Sequence, residues 1–274
     1  MILSLPQNTM ADSDRDRYPE DLFERGSGTL EEGRFLSGPE PRRDELFRTF
    51  RIASEFIRGF RTLHFVGPSV TVFGSARFKP EHRYYHLAQE VGERLAKAGF
   101  TTITGGGPGV MEAANRGAKQ AGGTSVGCSI QLPKEEAANP YVDVMVEFHY
   151  FFVRKVMLVK YSYAFIVLPG GFGTMDEIFE TATLIQTGKL KPFPIVVMGS
   201  SYWRPLLTLL KEKMVPEGTI DAEDVDRLIV TDSPEEAVGL VLDSARRDFG
   251  LRWEPKPSWI LRERERRGTG PTPR

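Results

Sequence analysis

The sequence predicts an α/β fold: a single, doubly wound, mostly parallel sheet with helices on both faces and one helix added on the N-terminal side. Three observations predict it. Strand-like and helix-like segments alternate without interruption from Val70 to Arg246, and parallel strands need such helical crossovers. The strand-like runs are apolar and bounded by Pro or Gly, Ala164–Leu168 most plainly, as suits strands buried on both faces. Three of them lead at once into glycine-containing bends, at Gly74–Arg77, Gly105–Gly109 and Gly170–Gly173. In an open parallel sheet, loops leaving the carboxyl ends of neighbouring strands gather over the crevice where strand order reverses, so three such loops imply one shared pocket.

In chain order, residues 1–40 are rich in Asp, Glu, Arg, Gly and Pro with little periodicity, and are expected to be a mobile leader. Residues 41–247 read as one domain. It opens with an amphipathic helix over 42–63, in which Leu46, Phe47, Phe50, Ala53, Phe56, Ile57 and Phe60 follow a three-four spacing. Strands are expected at Val70–Phe73, Thr101–Thr104, Ser125–Ile130, Val142–Phe148, Ala164–Leu168, Pro194–Met198 and Leu228–Val230. The helices between them span Glu81–Ala98, ended by Gly99, and Val110–Ala121, ended by Gly122-Gly123, glycine being the usual residue past a helix end. Further helices are expected over Phe152–Ser162, from the third bend to Thr187, and over Tyr202–Met214 and Pro234–Arg246. Leu132–Tyr141 reads as a polar loop, and residues 248–274 as a polar, basic tail whose interleaved glutamates favour a solvated segment over a nucleic-acid arm.

Composition narrows the function classes. A chain of 274 residues with 40% hydrophobic content can bury a substantial core. Its net charge of −1 favours neither nucleic acid nor membrane as a partner, and no apolar stretch reaches the ~20 residues that cross a bilayer. The N-terminus lacks a signal-peptide pattern. The single Cys128 cannot form an internal disulfide and reads as an inert strand residue, consistent with a cytoplasmic location.

The third bend carries the chemistry. Gly170, Gly171 and Gly173 have no Cβ to keep a ligand from the backbone, and the helix that follows presents N–H groups and a positive dipole end to an anion, most commonly phosphate. The alternative is a capping box, since Thr174 and Glu177 have Thr-x-x-Glu spacing. The second bend repeats the arrangement before the small-residue helix Ala113-Ala114-Asn115-Arg116-Gly117-Ala118. The dinucleotide fingerprint fails: its third glycine is replaced by Val110 or Glu112, depending on register. The P-loop fails too, because Gly173 runs straight into Thr174 without a lysine and Gly188-Lys189 continues into Leu190. His64, His82, His86 and His149 lack metal-site spacing, so neither a metal nor a cofactor is expected. Adjacent Arg154 and Lys155 near a helix N-terminus oppose the dipole and call for an anion nearby.

These motifs resemble those of the Lonely Guy (LOG) proteins, the cytokinin riboside 5′-monophosphate phosphoribohydrolases. Pro169–Glu177 matches P-G-G-x-G-T-x-x-E, Arg154-Lys155 matches its upstream Arg-Lys pair, and Gly105–Glu112 looks like the family's second glycine loop. The resemblance runs from about Val70 to Val230. It implies a Rossmann-like homodimer or higher homo-oligomer that cleaves the N-glycosidic bond of a purine nucleoside 5′-monophosphate, AMP or an N6-modified AMP. Glu177 and Arg154 are then the catalytic pair, with Gly170, Gly171, Gly173, Thr174, Gly106, Gly107 and Gly109 holding the 5′-phosphate. Lys155, Glu112, Ser75 and Arg77 are further substrate candidates, and core-edge capping competes equally as a role for Glu112. Asp176 reads as a solvent-facing anion in the first helical turn.

Rival readings come from other classes. The molybdenum-cofactor carriers look similar in fold and glycine loops but do no chemistry. A lysine decarboxylase label attaches to similar proteins, yet that reaction needs pyridoxal phosphate on a lysine, and neither Lys155 nor Lys160 lies in a recognisable cofactor motif. An assembly role for the N-terminal helix and tails is a third possibility.

Overall fold

The computed structural model describes residues 31–36, 38, 41–131, 138–190 and 193–249. In chain order they form α1 (Glu31–Leu36), α2 (Arg42–Leu63), β1 (Ser69–Phe73), α3 (Arg83–Lys97), β2 (Thr101–Thr104), α4 (Val110–Gln120), β3 (Ser125–Ile130) and β4 (Val144–Phe148). There follow α5 (Phe151–Lys160), β5 (Ser162–Val167), α6 (Phe172–Gln186), β6 (Ile195–Val197), α7 (Ser200–Leu209), α8 (Ala222–Asp226), β7 (Leu228–Val230) and α9 (Pro234–Phe249).

The seven strands make one sheet in the order β4-β3-β2-β1-β5-β6-β7, and every pair is parallel. The chain builds outward from β1 to β4, then returns to place β5 on the other side of β1. Strand order therefore reverses between β1 and β5, and the three glycine bends leave β2, β1 and β5, three adjacent strands at that switch point. β1 and β2 are buried at every position, as befits central parallel strands covered by helices on both faces.

Each face of the sheet carries its own core. One packs Leu63 of α2, Val153 and Met157 of α5, Ile178 and Ile185 of α6 and Trp203 of α7 against Ile103, Phe165 and Ile195. The other packs Tyr85, Val91 and Leu95 of α3, Val110 and Ala114 of α4 and Val241 of α9 against Val70, Val72 and Ile166. The small residues of α4 have a specific use on this second face. A Cβ on Gly117 would stand 1.9 Å from the Gln89 carbonyl oxygen, and one on Gly92 would stand 2.0 Å from that of Ala114. Helices α3 and α4 thus meet backbone to backbone, which only glycine permits at such a crossing.

Apart from shifts of one to three residues at element ends, the structure departs from the sequence reading in three places. Residues 31–36, inside the stretch read as a leader, form α1, while residues 1–30 and 250–274 lie outside the described part. The helix expected over Tyr202–Met214 starts at Ser200, ends at Leu209 and widens into a π turn over Leu210–Met214. Helix α8 was not anticipated, because a single polar turn carries no hydrophobic period; its signal is the capping box formed by Asp221 and Asp224. Most of the polar loop expected over 132–141, residues 132–137, lies outside the described residues. No helix among the described residues is long and apolar enough to cross a membrane.

Candidate active site

Ser75 ties the three bends together. Its N–H donates to the Pro169 carbonyl at 2.9 Å, and its own carbonyl accepts from the Val110 N–H at 3.0 Å. The second bend crosses the first so closely that a Cβ on Gly109 would lie 2.4 Å from the Ser75 oxygen, and Gly109 has φ +69°. Both the contact and the left-handed backbone demand glycine there. Arg77, at the end of the first bend, is exposed, with its N–H donating to the Ser75 hydroxyl at 3.1 Å.

A buried polar network fixes the second bend from below. The Gly106 N–H donates to Thr104 Oγ1 at 2.9 Å, and Thr104 in turn donates to Asn115 Oδ1 at 2.6 Å. Asn115 also donates to Ser125 Oγ at 2.7 Å. From the far side of the loop, Asn139 donates its backbone N–H to the Gly106 carbonyl (2.9 Å) and its amide to Gly107 O (3.1 Å) and Asn115 Oδ1 (3.0 Å). The sequence reading missed both asparagines. A signal existed for one of them: Asn115 is a wholly buried polar residue in an otherwise small and apolar helix face, and such a residue needs partners.

The third bend does not form the capping box that its sequence allows. Gly171 is the N-cap of α6 and no side chain caps it, so Thr174 sits in the first turn instead of at the cap and the capping box does not form. The opening N–H groups of a helix have no partner within it, and the positions a Cβ would occupy on Gly171 and Gly173 are open space. Gly170 is held from behind by Thr174, whose Oγ1 would stand 2.1 Å from a Cβ there, and by Tyr202, whose hydroxyl donates to the Gly170 carbonyl at 2.8 Å.

One turn into α6, Glu177 is 4% exposed and its Oε2 has no hydrogen-bond partner among the described residues. Burial pushes its carboxyl up to about 7, against the opposing pull of Arg154 and then Lys155. Arg154 approaches from α5. Its Nε is likewise buried without a partner, and its Nη2 lies so near the second bend that a Cβ on Gly105 would be 3.2 Å away. Its charge also bears on Cys128, although burial dominates there and holds that thiol at about 12, far from reactive. A buried carboxyl and a half-buried guanidinium, each with a buried unsatisfied atom, therefore lie in one another's field beside two glycine bends. Buried polar groups are normally paired, so the arrangement invites a polar ligand.

The remaining candidates have protein partners. Lys155 pairs with Asp176 at 2.9 Å and with Glu180; burial works against its charge, but those two carboxylates outweigh it and raise its pKa. Asp176 is exposed, as the sequence reading expected of a solvent-facing anion, and is also half of an interhelical ion pair. Glu112 accepts from the Tyr85 hydroxyl at 2.8 Å, tying α4 to α3 at the edge of the core.

A family model described as possible lysine decarboxylase matches residues 111–241. The chain is 31% identical over 179 residues to a cytokinin riboside 5′-monophosphate phosphoribohydrolase of Rhodococcoides fascians, a match that covers 63% of this chain and 88% of that relative. It is 32% identical over 176 residues to the protein of the same description from Mycobacterium tuberculosis, covering 62% of this chain and 91% of the relative. Among solved structures, the molybdenum cofactor binding protein of Rippkaea orientalis superposes with a TM-score of 0.50 at 22% identity, over 65% of this chain and 98% of that one, a likeness of fold alone.

Proposed function

The chain belongs to the Lonely Guy (LOG) family of phosphoribohydrolase-like proteins, and on that premise we propose that it hydrolyses the N-glycosidic bond of a purine nucleoside 5′-monophosphate to free base and ribose 5-phosphate. The observation that carries the reading is the juxtaposition of buried Glu177, whose Oε2 is unsatisfied, with half-buried Arg154, whose buried Nε is unsatisfied and whose charge acts on Glu177, beside an open helix N-terminus.

The division of labour follows from charge. The 5′-phosphate rests on the backbone donors of Gly170, Gly171 and Gly173 and on Thr174 at the start of α6, with Gly106, Gly107 and Gly109 forming the opposite wall and Ser75 holding the two walls together. Arg154 grips the phosphate or the departing base; a guanidinium suits either through paired N–H donors. As the C1′–N bond breaks, its electron pair leaves with the base and positive charge develops on the ribose ring, as in glycoside cleavage. Ionised Glu177 stabilises that cation and takes a proton from the water whose oxygen bonds to C1′; the departing base takes a proton from solvent, and Glu177 returns the one it took to solvent, leaving free base and ribose 5-phosphate. Lys155, locked to Asp176 and Glu180, supports the site by holding α5 to α6 instead of meeting substrate directly.

Pyridoxal chemistry fits these residues poorly. A Schiff-base lysine works as a free amine with a lowered pKa, whereas Lys155 is paired with two carboxylates and its pKa is raised. Lys160 stands over the Phe60 and Tyr161 rings.

Incubation with AMP and a panel of other nucleoside monophosphates, followed by chromatography, tests the proposal. Free base and ribose 5-phosphate in equal amounts are expected. Tight binding of AMP with no adenine released would replace the hydrolase with a nucleotide carrier.

A further inference from the structure

Helices α1 and α2 precede the span that the family model matches, yet they grip the turn from which Arg154 emerges. Glu55 on α2 is 3% exposed. Both its carboxylate oxygens accept from the His149 backbone N–H at 3.2 Å, and Oε1 lies 2.5 Å from the His149 ring Nδ1. One turn further along α2, Arg58 donates to the Glu147 carbonyl at 2.5 Å. On α1, Glu32 accepts from the Phe151 N–H at 2.9 Å. Tyr150 lies between the two gripped amides. It is fully buried, its ring meets Phe35 of α1 edge-on, and its carbonyl accepts from the Arg154 N–H at 3.2 Å.

We propose that Glu55 is a positioning residue for Arg154: through the His149–Tyr150–Phe151 turn, it and Glu32 set the height and rotation of α5, and so where the Arg154 guanidinium meets the second glycine bend. The inference rests on the proposed role of Arg154 in holding the nucleotide. The Phe151 N–H opens α5 without a partner in its own helix, and the Glu32 carboxylate satisfies it and complements the helix dipole, while Glu55 fixes the residue just before the N-cap Tyr150. With Glu55 removed, the His149 amide and ring lose a charged partner inside the protein, a loss the turn can relieve only by moving. The guanidinium is the lever arm of that movement, since it reaches from the first turn of α5 to Gly105. A misplacement of about 1 Å at a reacting group can lower the rate by about 10²-fold.

Four single variants and one double variant separate positioning from mere stability. Glu55→Ala should weaken AMP affinity about tenfold, within the range set by such misplacements, and speed amide exchange at His149, Phe151 and Arg154. Glu55→Gln should restore most of the affinity, because the Gln carbonyl can accept from the His149 N–H while its NH2 donates to the ring nitrogen. Ile52→Ala, a truncation of the α2 residue packed on the core, should lower the melting temperature and leave AMP affinity unchanged. Combining Glu55→Ala with Arg154→Ala should weaken binding no further than Arg154→Ala alone. Additive losses, or wild-type exchange rates in Glu55→Ala, would overturn the proposal. If the wild type binds AMP without cleaving it, the hydrolase reading fails while the affinity cycle still decides the positioning role. If it binds no monophosphate, amide exchange alone decides whether Glu55 holds the turn.

Discussion

The Arg154 guanidinium occupies the space that a side chain on Gly105 would claim: a Cβ there would stand 3.2 Å from Nη2 and 2.7 Å from Met111 Sδ. Both obstacles are the far ends of flexible side chains. Gly105→Ala should therefore fold with a stability within about 1 kcal/mol of wild type, the ordinary range of single substitutions, while displacing Arg154. AMP affinity measured by calorimetry should fall about tenfold or more, given the cost of small misplacements. An unchanged affinity would remove Arg154 from the nucleotide site.

Glu177→Gln should fold normally and lose about 10²–10³ in turnover, the usual effect of deleting one preorganised electrostatic partner. Wild-type turnover should rise with pH through about 7, as the carboxyl ionises. The variant's residual activity should lack that limb. Steady-state rates of base release between pH 5 and 9 test both statements.

The same group sets a stability trend. Its folded pKa of about 7 exceeds the ordinary 4.5, so the native state holds a proton that the unfolded state has already lost. Wild-type stability should fall as pH rises from about 4.5 to about 7 and stay lower above it. Gln does not titrate, so Glu177→Gln should match wild type near pH 4 and exceed it by up to about 3 kcal/mol at pH 8, at 1.36 kcal/mol per unit. Urea denaturation at the two pH values measures the difference, and a variant less stable than wild type at pH 8 would contradict the burial argument.

Gly171 and Gly109 should part company when each becomes Ala. At Gly171 the added methyl enters open space on an ordinary backbone, so the melting temperature should hold while phosphate-dependent affinity drops. At Gly109 it meets the Ser75 carbonyl with φ at +69°, which costs about 1–3 kcal/mol in strain alone. Thermal melts with and without ribose 5-phosphate distinguish the two. Equal affinity in Gly171→Ala and wild type would move the phosphate elsewhere.

Asn115→Ala strips Thr104, Ser125 and Asn139 of a shared buried partner. A loss of about 1–3 kcal/mol is expected from unsatisfied groups, together with faster amide exchange at Gly106. Exchange confined to wild-type rates at Gly106 would show that the network does not hold the loop.

Much of this molecule could be read from its residues in order. Strands Thr101–Thr104, Ser125–Ile130 and Leu228–Val230 stand where they were expected, because each carries the β-branched residues Thr, Val or Ile that suit a pleated, half-buried surface. The glycine bends were equally legible, since few other reasons place three such residues at a strand's carboxyl end. What escaped was pairing at a distance. Nothing local ties Glu55 to His149, Lys155 to Glu180 or Asn139 to Asn115; each is made by helices or loops that the sheet brings together. His149 offers the sequence reading nothing beyond its lack of metal-site spacing, because its partner lies 94 positions away.

The central strand has a temporal implication. Thr71 Oγ1 and Ser162 Oγ meet at 2.6 Å inside the sheet, though 91 positions separate them, so β1 has only one neighbour until β5 emerges from the ribosome and docks. Closing so long a loop before any contact rewards it makes for slow folding. Until then the nascent chain carries a raw, apolar strand margin open to stray pairing, the hazard that chaperones guard against.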